Sequence, residues 1–257
     1  MPIKIIQLKT LQDNYAYLLV EQSNKQVAVI DPGSAKPVLK ALATENLTLT
    51  HILLTHHHYD HSGGVGELKK HCPKAEVVIH KDDADRLPVT ADRRLQEGET
   101  IDFGPTSIQV LHLPCHTRGH VAFLVENSLF TGDTLFTAGC GKFFEGTATE
   151  MHKNLKRLKT LPEATKIYCG HEYTVENLEH AHQADPTNLT ISERLQKARR
   201  RQAEGNPLVP ATLALELASN PFLRLDDVTL QQQLKTTNEL DTLIALYRIY
   251  YRETPSF

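Results

Sequence analysis

Residues 55–61 read THHHYDH, and Gly63 and Gly64 follow within three residues. The side chains in this stretch that can bind a metal form an H-x-H-x-D-H pattern of His56, His58, Asp60 and His61. Neutral imidazole and carboxylate are common ligands of zinc, iron and manganese. His56 and His58 can share one side of an extended turn, whereas Asp60 and His61 are adjacent and point differently. Four ligands in six residues would crowd one tetrahedral ion, so the pattern favours two ions.

Residues that can bind metals also follow several short apolar runs. Runs of four to six apolar or alternating residues that end near Gly, Pro, Asp or His are typical of strands. Six such runs occupy residues 27–30, 51–55, 75–79, 108–113, 128–131 and 166–169. Five of the runs lead within three residues to Asp31, His56, His116, Asp133 or His171. Because strand ends meet along one edge of a sheet, we expect these side chains to converge.

Three of these residues, His116, Asp133 and His171, can supply the further ligands that two ions need. A carboxylate such as Asp133 can bridge two ions about 3.5–4 Å apart. The alternatives are a solvated histidine-rich loop and histidines that only pack at strand ends. The order of the residues and their shared position after strands favour a metal centre. For Asp31 two roles stay open, orienting a ligand histidine or forming a turn.

The composition is that of an ordinary soluble protein apart from its histidines. The chain has 257 residues, 14 of them histidine, and a formal net charge of −3, which gives no case for nucleic-acid or membrane binding. No apolar run approaches the ~20 residues of a membrane span, and the N-terminus lacks the features of a signal peptide. Four separated cysteines fit reduced thiols, and we therefore expect a cytoplasmic protein.

The periodicity changes from strands to helices near residue 174. We therefore expect a metal-binding domain over residues 1–173 and a helical domain over 174–257. Capping boxes at Thr147-x-x-Glu150 and Thr190-x-x-Glu193 predict two helix starts, and the second helix should end near Gly205. Pro210 is expected to open a further helix. A last helix should carry an apolar stripe of Leu240, Leu243, Ile244, Tyr247 and Tyr251.

The segments that contain the candidate ligands resemble the motifs of the metallo-β-lactamase superfamily. These segments are THHHYDHSGG (55–64), PCHTRGH (114–120), FTGDTLF (130–136) and CGHEYT (169–174). The segments AGCGKFFEGT (138–147), VPATL (209–213) and NPFLR (220–224) are similar to its glyoxalase II (hydroxyacylglutathione hydrolase) family. The likeness covers nearly the whole chain. It implies an α/β fold, an αββα four-layer sandwich, followed by a smaller all-helical C-terminal domain.

The resemblance implies a centre of two divalent metal ions, with zinc, iron and manganese all compatible with the ligands. One ion would be held by His56, His58 and His116. The second would be held by Asp60, His61 and His171, and Asp133 would bridge the two. A metal-bridging hydroxide would be the nucleophile, because coordination lowers the pKa of water to roughly 7. Asp60 and Asp133 would be the catalytic side chains, and Asp60 could accept a proton from the water.

The implied reaction is hydrolysis of the thioester S-D-lactoylglutathione to D-lactate and glutathione. Lys142 and Tyr173 match glutathione-binding positions of the family, and Phe144 falls where many relatives have tyrosine. The usual C-terminal Arg-x-x-Lys-Asp pattern is replaced by RIYYRE, in which Arg248 and Arg252 are the candidate counterparts. The two arginines are one residue further apart than the Arg and Lys of the family pattern, and on a helix a shift of one residue turns a side chain by about 100°. These departures leave open which thiol carrier the substrate contains. We expect a monomer acting on a small molecule.

Other readings within the superfamily are a lactonase, a β-lactamase or a persulfide dioxygenase, and a thioesterase that uses a different thiol carrier. The helical tail and the Lys142 segment argue against the dioxygenase. A scaffold that has lost catalysis is a further class, but none of the seven candidate ligands is missing. His57, His120 and Arg199–Arg201 are expected to be structural or solvated rather than ligands.

Overall fold

The computed structural model describes residues 3–256. They form two compact units. The first comprises the described residues up to Leu113 together with Thr117–Gly132. The second comprises Pro114–His116 together with the described residues from Asp133 onward. Of the seven candidate ligands, the four in the histidine-rich stretch belong to the first unit and His116, Asp133 and His171 to the second.

The first unit contains a six-stranded mixed sheet whose strands lie side by side in the order of the sequence. They are β1 (Lys4–Thr10), β2 (Asn14–Glu21), β3 (Gln26–Ile30), β4 (His51–Leu53), β5 (Glu76–His80) and β6 (Arg93–Leu95). Pairing is antiparallel from β1 to β3 and parallel from β3 to β6. The carboxyl ends of the parallel strands therefore share one edge, and the chain leaves β3 at Asp31 and β4 just before His56.

Helices pack on this sheet to form the core of the first unit. They are α1 (Ala35–Thr44), α2 (Tyr59–Ser62), α3 (Val65–His71) and α4 (Lys81–Ala84). Buried residues of β2, β3, β4 and β5 pack with Val38 and Leu42 of α1 and with Val65 and Leu68 of α3. Strands covered in this way are apolar along most of their length, which is why β3–β5 were visible in the sequence.

The first unit also contains four strands of a second sheet, with neighbours paired antiparallel. They are β7 (Thr100–Phe103), β8 (Thr106–His112), β9 (Val121–Val125) and β10 (Ser128–Gly132). β7 alternates between exposed and buried residues, whereas β9 and β10 are almost entirely buried. β10 ends at Gly132, immediately before Asp133.

The second unit is mainly helical with two short strand pairs. Its elements are β11 (Leu135–Phe136), β12 (Gly139–Cys140), α5 (Ala148–Lys159), β13 (Lys166–Cys169), α6 (Thr174–Ala184), α7 (Leu189–Ala203), β14 (Ala211–Thr212), α8 (Leu213–Ser219), a 3₁₀ helix (Pro221–Leu223), α9 (Val228–Leu234) and α10 (Glu239–Tyr251). β11 pairs with β12, and β13 pairs with β14, both antiparallel.

The structure confirms all six strands expected from the apolar runs, although their ends differ by one or two residues. It also confirms the capping box at Thr147, where the Thr147 side chain and Glu150 satisfy each other's backbone N–H groups. Gly205 follows α7 with a positive φ of 74°, as expected of a residue that ends a helix. No helix among residues 3–256 has the length and apolar character needed to cross a membrane.

Two expectations for the helical region were wrong, and a third was confirmed in part. The cap of α7 is Asn188, whose Oδ1 accepts from the N–H of Ile191, so the helix starts before Thr190. Pro210 opens no helix, because Ala211 and Thr212 pair with β13 and the Thr212 side chain then caps α8. On α10 the expected stripe is confirmed at Leu243, Ile244 and Tyr247, which are buried, whereas Leu240 and Tyr251 are half-buried and Tyr250 is buried in addition.

Candidate metal centre

In the first unit, the chain runs from the end of β4 into the candidate ligands. His56 is fully buried, and its Nδ1 lies 3.0 Å from Thr55 Oγ1. This contact orients the ring so that its Nε2 lies 3.0 Å from Nδ1 of His58. Two imidazole nitrogens that face each other at this distance can share one cation. His120 stacks on the other side of His56, at 5.0 Å between ring centroids, and is a packing residue as expected.

The next two candidate ligands lie in α2, one turn further along. His61 is buried, and its Nδ1 lies 3.0 Å from Asp31 Oδ2, which leaves Nε2 3.4 Å from Asp60 Oδ2. The Asp60 carboxylate accepts a hydrogen bond from Asn14 Nδ2 at 2.9 Å. Asp31 therefore contacts and orients the ring of a candidate ligand. A carboxylate that accepts from the second ring nitrogen fixes the tautomer and raises the basicity of the ligand.

Asp31 adopts a backbone conformation that is rare for a residue with a side chain, with φ of 50°. Its side chain accepts hydrogen bonds from the N–H (2.8 Å) and the hydroxyl (2.7 Å) of Thr55. Two residues later, a Cβ on Gly33 would lie 1.9 Å from the carbonyl oxygen of Asp60. Only glycine fits there, so the turn after β3 and the ligand-bearing helix α2 are in direct backbone contact.

Asp83 of α4 supports the same loop from another direction. Its buried carboxylate accepts from the N–H of His57 at 3.0 Å and lies 2.9 Å from the Nδ1 of His57. It also accepts from the Thr117 hydroxyl and the Gly119 N–H, both at 2.8 Å. Burial alone would raise the pKa of Asp83, but the hydrogen bonds from His57, Thr117 and Gly119 outweigh it and lower the pKa to about 2. His57 therefore helps to fix the loop through its contacts with Asp83.

In the second unit, two candidate histidines lie close to the same carboxylate oxygen of the third candidate, Asp133. Asp133 Oδ2 lies 3.5 Å from His116 Nε2 and 3.4 Å from His171 Nε2, and all three side chains are buried. His116 Nδ1 lies 2.9 Å from the Lys142 carbonyl oxygen, a distance at which the Nδ1–H donates and Nε2 keeps its lone pair. The His171 ring stacks on Tyr173 at 4.7 Å between centroids.

Three of the distances fit divalent metal ions, whereas the 3.0 Å between His56 Nε2 and His58 Nδ1 is an ordinary hydrogen-bond length. The contacts of Asp60 with His61, and of Asp133 with His116 and His171, are 3.4–3.5 Å, longer than an ordinary hydrogen bond. Two ligand atoms at 2.0–2.2 Å from a tetrahedral ion are roughly 3.3–3.6 Å apart. Mixed imidazole and carboxylate donors suit zinc, iron and manganese. The residues present therefore fit the expected metals.

A further histidine and aspartate cluster in the first unit does not fit a metal ion. It consists of His80, Asp82 and His112. The two imidazole rings are stacked nearly parallel, 4.0 Å apart with an interplanar angle of 12°. Lone pairs lie in the ring planes, so they run side by side here instead of converging. Burial, together with the neighbouring His112, lowers the pKa of His80, and such a neutral ring can stack without charge repulsion.

The expected substrate-binding residues all belong to the second unit. Lys142 Nζ lies 2.7 Å from Glu253 Oε1, and Phe144 is 61% exposed with its ring 5.1 Å from that of His116. Arg248 donates from Nε to Thr254 Oγ1 at 3.3 Å. Arg252 is exposed at the end of α10. The basic run Arg199–Arg201 is exposed as expected, and Arg199 pairs with Glu179.

Four groups that contact the candidate ligands or their loop were not found from the sequence: Asn14, Thr55, Asp83 and the Lys142 carbonyl group. Asn14 opens a strand far from the ligands in the chain, and Asp83 is one of three aspartates in DDAD. Nothing in one sequence distinguishes the buried aspartate of that run from its exposed neighbours. Every residue has a backbone carbonyl, so the sequence cannot indicate which carbonyl accepts a hydrogen bond from His116.

Comparison with known proteins identifies the family. The model of the metallo-β-lactamase superfamily matches residues 10–171, and that of the hydroxyacylglutathione hydrolase C-terminus matches residues 172–249. The chain is 42% identical over 247 residues to hydroxyacylglutathione hydrolase of a Synechococcus strain (93% of this chain, 95% of the relative). It is 40% identical over 249 residues to the Arabidopsis thaliana protein named hydroxyacylglutathione hydrolase cytoplasmic (94% and 95%).

Solved structures give the same fold. A crystal structure of TTHA1623 in a di-iron-bound form has a TM-score of 0.61 at 30% identity, covering 86% of this chain and all of that one. ETHE1 from Myxococcus xanthus has a TM-score of 0.66 at 25% identity, covering 97% and 99%. The expected metallo-β-lactamase fold with a C-terminal helical region is thus confirmed. The chain belongs to the metallo-β-lactamase superfamily and, within it, to the hydroxyacylglutathione hydrolase family.

Proposed function

We propose that this chain is a metal-dependent thioester hydrolase that cleaves S-D-lactoylglutathione and related S-2-hydroxyacylglutathiones to the hydroxy acid and glutathione. This reaction is the second step of methylglyoxal detoxification. The observation that carries the proposal is the Asp133 carboxylate oxygen placed between the Nε2 atoms of two histidines. Relatives named for this activity match 85–94% of the chain in the cases compared, which supports the substrate class.

The proposed cofactor is a pair of divalent ions, with zinc, iron and manganese as the candidates. One ion would be held by His56, His58 and His116. The other would be held by Asp60, His61 and His171, and Asp133 would contribute to both sites. When bound, the ions supply a water that is ionised at neutral pH and polarise the thioester carbonyl. The di-iron form of TTHA1623 shows that a relative of this fold holds two metals.

The protein side chains determine where these groups act. Asp31 and Thr55 hold His61 and His56 in the tautomers that direct Nε2 toward the ions. Asn14 fixes the Asp60 carboxylate, which is placed to accept a proton from the water. A thiolate leaves readily, so no general acid is needed for the leaving group.

Substrate contacts are proposed for Lys142, Phe144, Tyr173, Arg248 and Arg252. Glutathione carries two carboxylates, and fixed cations with hydrogen-bond donors are the usual partners for such groups. Phe144 offers an apolar ring where a tyrosine would offer a hydroxyl, which weakens one donor contact. We also propose a domain boundary at residues 173 and 174, a monomer and a cytoplasmic location, the last supported by the name of the plant relative and by four free cysteines.

The test is hydrolysis of S-D-lactoylglutathione by metal-loaded protein, followed by thiol release, with and without a chelator. We expect turnover that the chelator abolishes and added metal restores. A matched assay follows oxygen consumption on glutathione persulfide. Oxygen consumption without thioester hydrolysis would overturn the proposal in favour of a dioxygenase.

A further inference from the structure

We propose that Glu253 determines specificity for the thiol carrier of the substrate. Its carboxylate forms an ion pair with Lys142, and a carboxylate of the substrate must compete with it for the same ammonium group. The inference rests on the proposed function, in which Lys142 contacts the thiol carrier. It identifies a group within the chain itself that weakens binding of anionic carriers.

The ion pair between these residues is well defined. Lys142 Nζ lies 2.7 Å from Glu253 Oε1, and it also lies 5.3 Å from the centre of the Tyr251 ring. The side chains remain 31% and 53% exposed, so a solute can reach both. The ammonium group is therefore oriented toward a carboxylate and over an aromatic face before any substrate arrives.

The segment that carries Glu253 is held in place by its own contacts. Helix α10 ends at Tyr251, and Arg252 takes a left-handed conformation with φ of 55°, which turns the chain back. Beyond Glu253, Arg248 Nε donates to Thr254 Oγ1, and the N–H of Ala148 donates to the Ser256 carbonyl at 2.9 Å. Glu253 thus lies in a turn tied at both sides, and its carboxylate stays near Lys142.

The energetics favour competition over a structural role. An exposed ion pair contributes roughly 0–1 kcal/mol to stability, so a ligand can displace it at small cost. The same small cost is subtracted from the affinity of any carboxylate that uses Lys142. An uncharged thiol carrier does not need the lysine and is not penalised. Glu253 therefore narrows the advantage of anionic carriers such as glutathione over neutral ones.

The experiment compares Glu253→Gln with the metal-loaded wild-type enzyme. We expect the KM for S-D-lactoylglutathione to fall roughly two- to fivefold with kcat unchanged. The KM for the lactoyl thioester of uncharged N-acetylcysteamine should not change. Glu193→Gln, an exposed carboxylate on α7, removes the same charge elsewhere and should leave both values unchanged.

A double-mutant cycle with Lys142→Ala isolates the pair, because Glu253→Gln should have no effect in that background. An unchanged or raised KM for the glutathione thioester, or an equal fall in the Lys142→Ala background, would overturn the inference.

Binding of S-methylglutathione, a thioether that cannot be hydrolysed, provides a readout independent of turnover. Calorimetry should show a tighter Kd in Glu253→Gln by the same factor. If the wild-type enzyme fails to hydrolyse the thioester but this tightening is seen, the proposed reaction is wrong and the role of Glu253 stands. An unchanged Kd contradicts the role of Glu253.

Discussion

The two units of the molecule provide metal-binding side chains in different ways. The first unit places four candidates within six residues, His56 to His61, at the end of one strand. The second unit collects three from positions 116, 133 and 171, far apart in the chain. The compact set is held by side chains, namely Asp31, Thr55, Asn14 and Asp83. In the dispersed set, His116 contacts a backbone carbonyl and His171 stacks on the Tyr173 ring.

The difference has a physical reason. A short loop that carries four ligands has little regular backbone of its own, and neighbouring elements must supply the hydrogen bonds that order it. In the second unit, Asp133 follows β10 directly, so the sheet sets the position of its backbone. Substitution of supporting residues should therefore harm the first unit more than the second, whereas loss of the shared carboxylate should harm the centre most.

The largest effect is expected for Asp133→Ala. This change removes the oxygen placed between His116 and His171 and leaves two imidazoles to face each other. We expect kcat/KM to fall roughly 10³-fold or more, because several kcal/mol of transition-state stabilisation depend on the ions. Metal content by mass spectrometry should fall in parallel. Full activity with two bound ions would contradict the assignment.

The second-largest effect is expected for Asp31→Asn, which should lower the affinity of the first unit for metal. The amide keeps the shape of the side chain but removes the charge that holds His61 Nδ1. Loss of such a support typically costs roughly 10–100-fold in metal affinity. Tyr173→Leu, which removes the ring stacked on His171, is the matched change in the second unit and should cost much less. Competition titration with a coloured chelator measures both, and equal losses would remove the contrast between the units.

Asp83→Asn should alter how stability depends on pH. The pKa of Asp83 is about 2 in the folded protein against an ordinary value of 3.8. Its folded pKa is depressed, so its contribution of about 2 kcal/mol is present above pH 4 and is lost as the pH falls toward 2. The variant should lack this part of the pH dependence in denaturant unfolding of chelated protein.

Asp82→Asn, at the exposed neighbour of Asp83, is the control for that experiment and should behave as wild type. If the free energy of unfolding of Asp83→Asn fell between pH 4 and pH 2 as steeply as that of the wild type, the hydrogen bonds to Asp83 would not stabilise the folded protein by about 2 kcal/mol.

The smallest effect is expected for Arg252→Ala, which should raise KM several-fold more than it lowers kcat. The removed cation is exposed at the end of α10 and is proposed to contact substrate. Lys235→Ala is a matched control, because Lys235 has nearly the same left-handed φ, 56° against 55°, and also ends a helix. Any loss from backbone strain should appear in both variants. An unchanged KM for Arg252→Ala would remove this residue from the binding set.

Residue types and their spacing predicted six of the fourteen strands found among residues 3–256, namely β3, β4, β5, β8, β10 and β13. Each of these is a short run with a clear stop, and the candidate ligands were chosen because they follow such runs. The hairpin of β1 and β2 was not predicted, because β1 is only partly buried and its pattern is weak. The predicted start of α7 was wrong because both Asn188 and Thr190 can cap a helix, and the local sequence does not show which of them does so.

The supports of the centre depend on contacts between distant parts of the chain, as between Asn14 and Asp60 or Asp83 and Gly119. Such contacts exist only once the sheets have formed, so local patterns do not reveal them. The ion pair of Lys142 with Glu253 belongs to the same class. The sequence therefore names candidate ligands but not the residues that contact and orient them.

The most direct test of the central claim is the number and spacing of metal ions in a crystal of the active enzyme, measured by anomalous scattering. We expect two peaks about 3.5–4 Å apart, both in contact with the Asp133 carboxylate. A single peak in fully active protein, or a second ion that does not contact Asp133, would contradict the claim.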